Sequence, residues 1–162
     1  MRPMPTKTKI LFALVAIAIF AGMQIPSKLL YAKTNSVGYR LFYYERDQKV
    51  QAPQKDAFVV FTLKLENDER CKDCRVVKKV GCLAGDTLTT TFEGLYYCNG
   101  QYLGSSQKYS PSGKKQIVFV YNDKVPANKF FAFGGGSKYS YDSRYYGFID
   151  ADKIEGIAIP LF

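Results

Sequence analysis

The sequence is 162 residues long, 47% apolar and 15% aromatic, with 13 Tyr, 12 Phe and no Trp. That length supports one domain with a substantial core, and the aromatic usage favours strands over helices. The formal charge of +9 suits nucleic acid or an anionic membrane surface, while the complete lack of His excludes a Ser-His-Asp triad.

Residues 10–25 read ILFALVAIAIFAGMQI, apolar apart from Gln24. As a helix rising ~1.5 Å per residue the run spans roughly 24 Å, a little short of a hydrocarbon core of ~30 Å, and the segment up to Leu30 is expected to complete the crossing. Arg2, Lys7 and Lys9 precede it, which places the N-terminus in the cytoplasm and the remainder in the periplasm or exterior. An uncleaved signal-anchor is therefore expected. A cleaved signal peptide is the rival reading, with a cut after Ala32 for which Leu30 is a poor match. Residues 1–32 are read as cytoplasmic tip and anchor, and 33–162 as one exported domain. That placement in the inner membrane, with basic residues spread along the chain, favours membrane lipid over nucleic acid as the neighbour.

From residue 33 onward the pattern is β-rich. Residues 38–44 form a short aromatic strand, and 57–66 (AFVVFTLKLE) begin as a continuous apolar run and end in alternation. Residues 67–72 read as a polar loop and 75–81 as a strand. Residues 95–98 and 101–103 flank Asn99-Gly100, a type I′ hairpin signal, because both residues tolerate positive φ. A Ser/Gly/Lys loop is expected over 104–115, strands over 116–121 and 129–133 around a turn at Pro126, and closing strands over 145–149 and 153–159. Short strands with frequent turn signals predict a mainly β barrel or sandwich-like body.

Cys71, Cys74, Cys82 and Cys98 suit disulfides in an exported domain, with three pairings open. A zinc site would need all four thiolates, so no metal or other cofactor is expected.

Three segments carry the chemistry. The first is Thr34-Asn35-Ser36-Val37-Gly38-Tyr39-Arg40, directly after the apolar run. The second is Val77-Lys78-Lys79-Val80-Gly81-Cys82-Leu83-Ala84-Gly85-Asp86. The third is Phe133-Gly134-Gly135-Gly136, followed by Ser140-Tyr141-Asp142-Ser143-Arg144-Tyr145-Tyr146-Gly147. In order and spacing they resemble the boxes of the signal peptidase I family. The short length and single anchor resemble the conjugative-transfer, TraF-type branch. The sequence departs from the family pattern at Gly38, Arg40, Cys82, Ala84, Gly135 and Gly136, none of them a proposed catalytic side chain.

The resemblance implies a signal-peptidase-like β catalytic domain behind a transmembrane helix. It makes Ser36 the nucleophile and Lys78 the general base. Ser140 orients the lysine, Asp142 and Arg144 form a supporting ion pair, and the Ser36 N–H with the Thr34 hydroxyl serves the oxyanion. The chemistry needs these types: a serine requires a base to take its proton, and lysine can act only when neutral. Bringing a reference pKa of ~10.4 to pH 7 costs roughly 4 to 5 kcal/mol, a shift that burial can supply. Strand alternation sends Lys78 and Lys79 to opposite faces without saying which is buried.

The implied substrate is an exported precursor bound extended at a strand edge, a conjugative propilin by the branch resemblance, with pilin cyclisation known in some relatives. The alternatives are a general signal peptidase for secretory preproteins and an inactive, membrane-tethered scaffold of pilus assembly. The oligomeric state is not legible in the sequence.

Overall fold

The computed structural model of the chain describes residues 5–24, 28–45, 53–64 and 73–162. The polar loop expected over 67–72, and Cys71 within it, lie outside them.

Helix α1 covers Thr6–Gln24. Ile10, Leu11, Phe12, Leu14, Val15, Ile17, Ile19 and Phe20 are all exposed on it. Consecutive apolar positions cover every face, so the helix has no polar side to turn to water. No helix among the described residues is long and apolar enough to cross a membrane. Leu29 and Leu30, expected to lie at the end of the crossing, are instead in strand β1, Leu29–Tyr31. It pairs antiparallel with β2, Leu41–Glu45, in the register Leu30 to Phe42, so its backbone groups are satisfied by a sheet.

Nine further strands follow: β3 Phe58–Leu63, β4 Cys74–Cys82, β5 Thr87–Thr90, β6 Leu95–Cys98, β7 Gln101–Ser105, β8 Asn122–Lys124, β9 Lys129–Phe133, β10 Ile149–Asp150 and β11 Ile154–Pro160. They make two antiparallel sheets. One has seven strands in the order β1-β2-β11-β3-β4-β9-β10, the other four in the order β7-β6-β5-β8. Both run from edge to edge among the described residues, so the body is mainly β, and neither sheet closes on itself.

The continuous apolar run of β3 has a physical reason. Val59, Phe61 and Leu63 face one core cluster with Val80, Phe130 and Ala132, while Val60 faces another with Val37, Phe42, Val77 and Ala158. A strand covered on both faces has no use for polar alternation. Strand β9 is shared in the same way. Phe130 and Ala132 enter the first cluster, whereas Phe131 and Phe133 enter a third, formed with Leu88, Tyr96 and Cys98 of the smaller sheet. The β4–β9 register shifts between Val80 and Cys82. This bulge turns Cys82 out of the Val80 cluster and into the third one.

Two expected strands are corrected. Residues 116–121 form no strand: the Gln116 N–H donates to the Lys108 carbonyl, the Phe119 N–H to the Arg144 carbonyl and the Tyr121 N–H to Thr90 Oγ1, so these donors follow no single neighbouring strand. The strand β8 begins only at Asn122. Residues 145–146 close a helical turn, α2 Ser143–Tyr146, capped by Asp142, whose carboxylate accepts from the Arg144 N–H. Strands β1 and β5 were not anticipated.

Candidate active site

Lys78 lies on β4, opposite Val59 of β3. It is 5% exposed. Its neighbour Lys79 points the other way and pairs with Asp56 at 2.8 Å near the surface. The structure thus settles which of the two lysines is buried. The Lys78 Nζ donates to Ser140 Oγ at 2.8 Å, and Ser140 is itself buried. Burial pushes the ammonium down from 10.5 to about 8; Asp142 opposes this and Arg144 adds to it.

The loop that carries Ser140 is held from beneath. Asp142 and Arg144, both almost completely buried, form a two-pronged pair, with Arg144 Nε on one carboxylate oxygen at 2.8 Å and Nη2 on the other at 2.7 Å. The carboxylate also accepts from the Gly134 N–H at 2.8 Å. Arg144 reaches two backbone carbonyls as well, Ser105 through Nη1 at 2.5 Å and Ser140 through Nη2 at 3.2 Å. Ser143 Oγ accepts from the Ala132 N–H at 3.0 Å, fastening the turn to β9. Each nitrogen and oxygen of this buried ion pair has a hydrogen-bond partner, as its desolvation demands.

Ser36 sits half-buried in the turn between β1 and β2. Its carbonyl accepts from the Gly136 N–H at 3.1 Å. The glycine run, which in isolation reads as a flexible loop, is where this turn meets the lysine. A Cβ on Gly134 would stand 2.1 Å from Ser140 Oγ and 2.4 Å from the Ser36 carbonyl oxygen. One on Gly136 would stand 2.0 Å from the Gly38 nitrogen. Gly38 has φ +87°, the left-handed region that a side chain disfavours. Glycine at 136, a departure from the family pattern, is what lets the two loops touch.

Ser36, Lys78, Ser140, Asp142 and Arg144 are therefore gathered in one place. Ser36 Oγ and Lys78 Nζ share no hydrogen bond among the described residues. Thr34 is exposed and makes no hydrogen bond among the described residues. Cys82 and Cys98 form a disulfide, which removes the four-thiolate zinc site from consideration; Cys74 is also disulfide-bonded. Sequence reasoning missed the roles of Gly134, Gly136 and Ser143. The spacing of the third box was the available signal.

The site sets a serine-bearing turn beside the serine that holds a buried lysine, in a chain without histidine. Residues 6–162 match the family described as signal peptidase, peptidase S26, and the chain belongs to that family. It is a serine-type signal peptidase, a peptide hydrolase. It is 27% identical over 165 residues to a probable signal peptidase I-2 of Synechocystis sp., covering 96% of this chain and 71% of that one. It is 29% identical over 140 residues to a signal peptidase I of Leptolyngbya laminosa, covering 85% of this chain and 66% of the relative. Among solved structures, a signal peptidase I from Enterococcus faecalis aligns with TM-score 0.41 and 26% identity, over 65% of this chain and 95% of that one.

Proposed function

We propose that Ser36 is the nucleophile and Lys78 the general base of a membrane-anchored endopeptidase that cleaves exported precursors. The observation that carries this reading is the buried Lys78 amine, held by Ser140 Oγ, with Ser140 Oγ and the Ser36 carbonyl both packed against Gly134. The neutral amine takes the Ser36 proton as Oγ attacks the scissile carbonyl. The leaving amine departs with a proton, and water releases the acyl group from Ser36. The Ser36 N–H and the Thr34 hydroxyl serve the oxyanion, the latter after the loop turns Thr34 inward on substrate. Helix α1, apolar on all sides, anchors the chain with its β body outside the cytoplasmic membrane.

The substrate we assign is a conjugative propilin, on the resemblance to the conjugative-transfer branch. The names of the two curated relatives favour a second reading, a general signal peptidase I acting on secretory preproteins. Cleavage of a propilin and of a secretory preprotein in membranes, by wild type, Ser36→Ala and Lys78→Ala, tests both. Wild-type cleavage of the propilin alone, lost in both variants, supports the first. Cleavage of the preprotein alone supports the second. Undiminished cleavage by either variant removes that residue from the dyad.

A further inference from the structure

Lys78 does not stand on the seven-stranded sheet alone. Tyr96, on β6 of the smaller sheet, is fully buried. Its hydroxyl lies 2.5 Å from the Phe119 carbonyl and 3.0 Å from the Arg144 carbonyl. The Phe119 N–H donates to that same Arg144 carbonyl at 2.8 Å. The smaller sheet thus grips Arg144 at two points, its main chain through Tyr96 and its guanidinium through the Ser105 carbonyl on β7. From Arg144 the path is short. Nη2 holds the Ser140 carbonyl, and Ser140 Oγ holds the Lys78 amine. The Cys82–Cys98 disulfide, two residues from Tyr96, ties the end of the lysine's own strand to the same β6.

We propose that Tyr96 is a positioning residue for the Lys78 amine, acting from the smaller sheet through Arg144. The inference rests on the reading of Lys78 as the base. The two charges acting on the amine are Asp142, which favours its protonated form, and Arg144, which disfavours it. The phenols of Tyr96, Tyr145 and Tyr146 stand around that pair, and β3 presents only apolar Val59 opposite the lysine. Loss of the Tyr96 hydroxyl leaves the Arg144 carbonyl with only the Phe119 N–H and loosens the fork on Ser140. Asp142 then acts on the amine less opposed, and Lys78 stays protonated to higher pH.

The test is Tyr96→Phe, which keeps the ring in its cluster and removes only the hydroxyl. The rising limb of kcat/KM against pH is expected to move upward, with a loss of about three- to tenfold at pH 7 that vanishes near pH 10. KM should change little. Independently of activity, the Lys78 13Cε shift, titrated by NMR in a Ser36→Ala background, should show the same upward movement. If Tyr96→Phe does not fold, Arg144→Lys decides. It keeps the charge but cannot span the Ser105 and Ser140 carbonyls, and the same direction is expected. An unmoved limb and an unmoved lysine titration, with only a lower melting temperature, overturn the proposal. Full activity in Lys78→Ala would instead overturn the reading of the base, and the NMR titration would still report on the positioning.

Discussion

At the residue scale, burying Lys78 carries a cost in stability. A fall from 10.5 to about 8 corresponds to about 3 kcal/mol against folding while the amine is charged. Below pH 8 both folded and unfolded chains carry the proton and the full penalty applies. Between pH 8 and 10.5 the unfolded chain binds more protons, so stability rises with pH, and above both values the penalty is gone. Lys78→Met should therefore be more stable than wild type at pH 7, by about 1 to 3 kcal/mol after the lost Ser140 hydrogen bond is counted. Urea unfolding should show that gap closing by pH 10.5. A variant equally destabilised at both pH values would mean that the lysine is solvated. The same shift predicts a rising limb of activity with its midpoint near pH 8. Gly134 gives a second expectation. A methyl group there must displace Ser140 Oγ or the Ser36 carbonyl, so Gly134→Ala should lower kcat by about 100-fold or more through misplacement alone. Near-native circular dichroism alongside that loss would separate the effect from unfolding.

At the element scale, the bulge in β4 and the disulfide belong together. The bulge turns Cys82 toward Cys98, and the bond closes a loop with a sequence separation of 16 that contains the Gly85-Asp86 turn. A loop of this size contributes about 3 kcal/mol by constraining the unfolded chain. Cys82→Ala/Cys98→Ala should lower the stability by roughly that amount, read as a drop in the urea midpoint. A reductant should lower the midpoint further in wild type than in the double variant, which keeps only the disulfide of Cys74. Elements with a strong local pattern were legible in the sequence. The β6–β7 hairpin around Asn99-Gly100 and the apolar β3 are where they were expected, because turn chemistry and a two-sided core leave local marks. The stretch 116–121 and the helical turn α2 were not, because their backbone donors bond to partners distant in sequence or to the side-chain cap of Asp142.

At the scale of the whole molecule, the described residues of the β body carry three clusters of core residues, and none of the described side chains of α1 contributes to them. A chain lacking residues 1–24 should keep its fold and cleave a soluble peptide at a rate within about threefold of the full chain, while losing flotation with liposomes. Loss of peptide cleavage would show that α1 supports the site directly, and retained flotation would show that the β body binds lipid unaided. The sequence by itself determined the class of chemistry. With no histidine a Ser-His-Asp triad was excluded, three boxes in family order pointed to a signal peptidase, and the aromatic usage favoured strands. Only the tertiary structure decided which of Lys78 and Lys79 is buried, that Cys82 pairs with Cys98, and that the smaller sheet braces Arg144. Periodicity assigns side chains to faces, but what covers a face comes from strands far away in the chain, and burial is what lowers a lysine's pKa.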